Sequence, residues 1–155
     1  MFGGYRVISL AKANNNAELS KFLSKRNHLI NCQSKKSGRT ALQIACRNGN
    51  LDMVLMLIMR GADLDIKDYD NNSPLMLALE NGFDCVAATL LERGASLNIL
   101  NNNAQTPLHV ACRTNCSVAA AFLISKKNVV NLDELDAVWF SVSVLLLTYI
   151  CCLEQ

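Results

Sequence analysis

Residues 105–115 read Gln105-Thr106-Pro107-Leu108-His109-Val110-Ala111-Cys112-Arg113-Thr114-Asn115, and two weaker copies of this stretch lie upstream. Thr40-Ala41-Leu42-Gln43 with Ala45-Cys46 is one copy, and Ser73-Pro74-Leu75-Met76 with Ala78-Leu79 is the other. Thr40, Ser73 and Thr106 stand 33 residues apart in turn. A fixed period of that length marks a solenoid, one supersecondary unit stacked on itself.

Each part of the unit has a physical reason. Thr or Ser caps a first helix, and Pro at the first helical position loses no hydrogen bond because that N–H has no partner anyway. Leu42, Leu75 and Leu108 then point inward, while Ala45, Ala78 and Ala111 let helices approach closely. In the same phase come Gly49, Gly82 and Asn115, which suit a turn at positive φ into a second helix. Gly61 and Gly94 end that second helix, with the poorer terminator Lys127 in the last copy. Asp65, Asn98 and Asn131 keep the phase beyond it.

This phased set resembles the ankyrin repeat, a helix-turn-helix with a projecting hairpin loop, over about residues 6–136. The resemblance implies an all-α, right-handed solenoid of four units, at about 6–39, 40–72, 73–105 and 106–136, within a domain of residues 1–136. In the degenerate first unit Leu10-Ala11 stand in for the inward box, Asn15 and Asn16 supply the turn, and Leu19, Phe22 and Leu23 form the buried stripe. Lys12, Asn14, Glu18, Lys21 and Lys25 give it the polar outer face that a terminal repeat needs. Helical spacing also buries Met53, Val54, Leu57 and Ile58, then Val86, Leu90 and Leu91, then Ala119, Phe122, Leu123 and Ile124. Met53, Met56 and Met59 read as packing between layers rather than as an adaptable surface. The loops at 32–39, 66–72 and 99–105 are the fingers. Gly38 and Asn71 suit the positive φ of their hairpins; Ala104 does not, which predicts a distorted third finger with Asn101-Asn102-Asn103 sharing the turn.

A net charge of +2 is too balanced to argue for nucleic acid, and Lys35, Lys36 and Arg39 read as a solvated loop. Cys46 and Cys112 fill the small-residue slot of the first helix. Cys32, Cys85 and Cys116 lack ligand spacing, and Cys151-Cys152 are adjacent. An odd count of seven with no leader-like start predicts a reduced, cytoplasmic compartment. No catalytic constellation, metal site, cofactor or small-molecule substrate is expected. His28 reads as a loop residue without a plausible Cys or Ser partner, and the resemblance implies that His109 hydrogen-bonds Thr106 structurally. Asp63, Asp65, Asp68 and Asp70 lack the central Gly and closing Glu of a calcium loop.

The register stops after Asp136. Residues 137–153 then run AVWFSVSVLLLTYICCL without a charge. Three readings of this tail at 137–155 compete: a marginal membrane anchor giving membrane contact, a helix packed over the fourth repeat, and a truncated or alternatively ended array. Truncation is the favoured origin, and packing and membrane insertion stay open as the tail's physical fate.

What remains is binding. The resemblance implies a protein partner on the concave face, met by the ends of the first helices (Arg47, Asn48, Glu80, Asn81, Arg113) and by the finger tips (Asp68, Tyr69, Asp70, Leu100, Asn101, Asn102). Tyr69 and Leu100 are the expected anchors. The wording of residues 40–98 is also similar to ankyrin arrays of endosomal FYVE-finger proteins, which implies a trafficking adaptor binding a Rab GTPase. No FYVE zinc site stands in this chain, so that activity is not carried over. The alternatives are a tail-anchored membrane adaptor and, in another class, the ankyrin part of a larger enzyme such as a ubiquitin ligase or kinase.

Overall fold

The computed structural model describes residues 2–125, and within them the chain is helical, without a strand. Helices α1 (Phe2–Lys12), α3 (Ala41–Asn48), α5 (Pro74–Glu80) and α7 (Pro107–Arg113) stack in one row. Helices α2 (Asn16–Lys25), α4 (Leu51–Met59), α6 (Asp84–Glu92) and α8 (Ser117–Ser125) stack in a second row behind it. The two rows form an all-α solenoid, each unit packed on its sequence neighbours.

The starts of the first helices follow from their side chains. Thr40 Oγ1 accepts from Gln43 N at 3.2 Å while Thr40 N donates to Gln43 Oε1 at 2.8 Å, a reciprocal capping box. Thr106 repeats it: Thr106 N donates to His109 Nδ1 at 3.2 Å, and Thr106 Oγ1 lies 2.7 Å from the same nitrogen. Ser73 caps Met76 N at 3.3 Å, but Met76 has nothing to return. The turns run through positive φ at Gly49, Gly82 and Asn115, and Gly61 and Gly94 do so after α4 and α6. At Gly49 space matters as much as φ, because a Cβ there would run into the Phe83 ring of the next unit.

Between the rows lies one continuous core. Leu42, Leu75 and Leu108 are buried, as are Ala45, Ala78 and Ala111. Leu19, Leu23, Val54, Leu57, Leu90 and Leu123 close the core from the second row. Burial pushes the Cys112 thiol up to about 11 and that of Cys46 higher still, so both act as small apolar fillers. Cys32, Cys46, Cys85, Cys112 and Cys116 are all free thiols.

Four details differ from the sequence reading. The first unit's turn comes earlier: Asn14 takes the positive φ, Asn15 caps α2 through Glu18 N, and Asn16 is already helical. Its inward box is Ile8 with Ala11, beside Val7, whereas Leu10 is half-buried. Met53 is buried, but Met59 is 74% exposed, because α4 turns that position outward. The third finger is not distorted. Ala104 accepts φ +56, and its N donates to Asn101 O at 3.0 Å, just as Asn71 N donates to Asp68 O at 3.0 Å.

Side chains also tie one unit to the next. Arg60 donates to Ser20 Oγ at 2.8 Å, and Asn27 Nδ2 donates to Arg60 O at 3.0 Å. The Asp84 carboxylate on α6 accepts from Val118 N and Ala119 N at 3.0 and 2.9 Å, capping the neighbouring α8. The Lys127 terminator, the phased Asn131 and the whole tail 137–155 lie outside the described residues. Among the described residues no helix is long and apolar enough to cross a membrane.

Candidate protein-binding face

The period that builds the fold also builds a surface. Arg47, Glu80 and Arg113 sit 33 residues apart at the C-terminal ends of α3, α5 and α7. A cation, an anion and a cation therefore follow one another along the inner row. Arg47, Asn48, Asn81 and Arg113 are exposed, and Glu80 is half-buried. Asn81 is partly committed, since its Nδ2 donates to Leu77 O at 2.8 Å.

The fingers stand beside this row. Each is closed by its own backbone: Ser34 N donates to Arg39 O, Asp68 N to Asn72 O and Asn101 N to Gln105 O. Neighbouring fingers are joined by Tyr69 N donating to Ser37 O and Asn102 N donating to Asp70 O, both at 3.1 Å. Asn71 Nδ2 donates to Asn102 Oδ1 at 2.7 Å, and Asn102 Nδ2 to Tyr69 O at 3.3 Å. The fingers are thus laced into one strip.

This lacing decides which tips are available. Tyr69 is 63% exposed and Leu100 45% exposed, and Asp70 and Asn102 are also open to solvent. Asp68 and Asn101 are not open. Asp68 Oδ1 accepts from Asp70 N and Asn72 N, and its Oδ2 from Arg39 Nε at 3.0 Å. Asn101 Oδ1 likewise accepts from Asn103 N and Gln105 N, each at 3.0 Å. Both residues are buried braces that shape the turn, and neither side chain faces outward.

Electrostatics links the helix row to the fingers. Burial pushes the Glu80 carboxyl above its ordinary range; Arg113 pulls it back, Asp68 pushes it up, and Arg39 and Asp70 act more weakly in opposite directions. Arg39 also reaches Asp70, at 3.9 Å. Arg113 and the Arg39–Asp68–Asp70 cluster therefore all act on one carboxylate, that of Glu80. Arg39, expected in a solvated loop, is a structural partner of the second finger.

Gln43 was missed as a determinant of this face. It is fully buried, and its Nε2 donates to Ile66 O at 3.0 Å and to Asn72 O at 2.9 Å, the two carbonyls flanking the second finger. Its signal was in the phase: Gln43 stands 66 residues before His109, in the same slot of the unit. Met76 occupies that slot in the third unit and cannot donate. Among the described residues no three His, Cys, Asp or Glu side chains gather where a metal ion could be held.

The family model for ankyrin repeats in three copies matches residues 3–68 and 63–134. Protein phosphatase 1 regulatory subunit 12A of mouse and of rat is 42% identical over 48 residues, which is 31% of this chain and 5% of each relative. A putative ankyrin repeat protein of fowlpox virus, FPV230, is 47% identical over 55 residues, 36% of this chain and 28% of the relative. The similarity thus spans a small part of each curated relative.

Proposed function

The chain belongs to the ankyrin-repeat family, and on that premise we propose that it is a non-catalytic protein-binding module whose partner lies along the inner helix row and the fingers. One observation carries the reading. Arg47, Glu80 and Arg113 recur at a single interval on the first helices, and the finger tips Tyr69 and Leu100 are exposed, so both charged and apolar side chains are on offer to a partner. Such a surface suits a polypeptide, with aromatic and aliphatic anchors giving affinity and charges fixing register. The corrected contact set is Arg47, Asn48, Tyr69, Asp70, Glu80, Asn81, Leu100, Asn102 and Arg113.

The test is a double substitution, Tyr69→Ala with Leu100→Ala, scored by capture of partners from cell extract beside a thermal melt. Loss of a captured protein with an unchanged melt supports the face. Retention of every partner would sink it.

The finer reading, an endosomal adaptor contacting a Rab GTPase, rests on the likeness of residues 40–98. A captured small GTPase bound in its GTP form would support it. The phosphatase role in the name of the mouse and rat relatives belongs to those proteins, since the likeness covers 48 residues of repeat. Membrane attachment through residues 137–153 rests on their uncharged run alone.

A further inference from the structure

Charge is distributed unevenly along this chain. The first 39 residues carry eight lysines and arginines against one acid, Glu18, whereas residues 40–155 carry seven against twelve. The modest overall charge therefore conceals a strongly basic first unit. Four of those eight cations, Arg6, Lys21, Lys25 and Arg26, also line one recess. Two adjoining grooves, of about 480 and 520 Å³, open on the first unit. Arg6, Phe22 and Arg26 line both, with Glu18, Lys21 and Lys25 on one side and His28 and Leu29 on the other.

Phe22 organises the pair of arginines. The guanidinium groups of Arg6 and Arg26 lie 5.2 and 5.0 Å from its ring centroid, within the range of cation–π attraction. Stacking on a ring holds a guanidinium flat and leaves its N–H edge free for a carboxylate. The available acid does little to occupy them, since Glu18 reaches Arg6 only at 4.0 Å with both side chains largely exposed.

We propose that this face of the first unit, outside the concave face, docks an acidic polypeptide segment. Carboxylates would meet Arg6, Arg26, Lys21 and Lys25, an apolar side chain would meet Leu29, and Phe22 would hold the two guanidinium groups in place. Charge complementarity selects the sign of the occupant, and the form of the site selects its class. The cations border concave recesses that Phe22 and Leu29 also line, which suits protruding side chains better than the flat surface of a bilayer. The Phe22 ring already carries two guanidinium groups, so it is poorly placed to stack a nucleobase.

The test measures binding of the full chain to a labelled Glu-rich peptide of about 12 residues with a central Leu, by fluorescence anisotropy between about 50 and 200 mM salt. Phosphatidylserine vesicles and single-stranded DNA serve as the competing arms. Arg6→Gln with Arg26→Gln, and separately Lys21→Glu with Lys25→Glu, should each weaken the peptide about tenfold. Phe22→Ala should weaken it several-fold with no change of charge, and Arg113→Glu on the concave face should leave it unchanged. Lys21 and Lys25 are exposed, so that pair keeps the fold if the arginine pair does not. The proposal fails if the peptide does not bind, if Arg113→Glu weakens it equally, if Phe22→Ala has no effect, or if vesicles or DNA bind more tightly through these residues.

Discussion

Ala104 holds a left-handed backbone, φ +56, at the turn of the third finger, and Ala104→Gly should therefore stabilise the protein. The side chain is exposed, so deleting its methyl group sacrifices little burial. An L-residue with a Cβ loses about 1–2 kcal/mol in that conformation. Glycine relieves this but loosens the unfolded chain, which returns about 0.4–1 kcal/mol. The difference favours glycine by about 0.5–1 kcal/mol. With a urea m-value of about 2 kcal/mol/M, the midpoint should rise by about 0.3–0.5 M at unchanged slope. Gly38→Ala is the opposing control at the corresponding turn of the first finger. Its backbone has φ +68, and a new Cβ would sit 2.5 Å from Tyr69 Cδ1 and 3.0 Å from the Tyr69 backbone nitrogen. That change should lower the midpoint. A fall on Ala104→Gly, or a rise on Gly38→Ala, would refute the assignment of strain to these turns.

Leu75→Ala, at a fully buried position between two stacked units, should cost about 2–5 kcal/mol in urea unfolding; an unchanged midpoint would contradict the packing described. Asp84→Ala removes two charge-assisted bonds to the start of α8 and should cost about 1–3 kcal/mol. Hydrogen exchange should show α8 as the first helix to open in that variant, and uniform exchange would oppose the capping role. Glu80→Gln should stabilise at neutral pH, because burial raises the folded-state pKa and so penalises the ionised carboxylate. The gain should shrink as pH falls through the folded pKa and vanish below the unfolded one. A gain that grew on acidification would reverse the sign of this reasoning.

The sequence showed the architecture because repetition averages out local ambiguity. Thr40, Ser73 and Thr106 each mark a helix start, and the agreement of three copies carries more than any one. Where a unit departs from the period the reading slipped, as with Asn14 and Ile8 in the first unit. The candidate face was harder to read. A period identifies which positions lie on a finger, but not whether a polar side chain there serves a partner or its own backbone. Asp68 and Asn101 look like solvent-facing tips in sequence, yet each accepts two amide hydrogens from its own turn. Gln43 poses the reverse problem, a polar residue fully buried because two carbonyls of the next finger await it. The basic first unit could be counted from sequence, but not the gathering of Arg6 and Arg26 around Phe22.

The Asp84 carboxylate gives the assembly of the array a direction. Helix α8 receives its terminal hydrogen-bond acceptors from α6, a segment synthesised before it. As the chain leaves a ribosome, α6 can settle on α4 before α8 exists, and the later helix then arrives at an acceptor already in place. Refolding from denaturant imposes no such order, since the segment of α8 is present there from the start, before Asp84 is placed. Growth from the N-terminus therefore lowers the nucleation cost of the last described helix, and vectorial synthesis should fold this chain with fewer misdocked intermediates than dilution from urea.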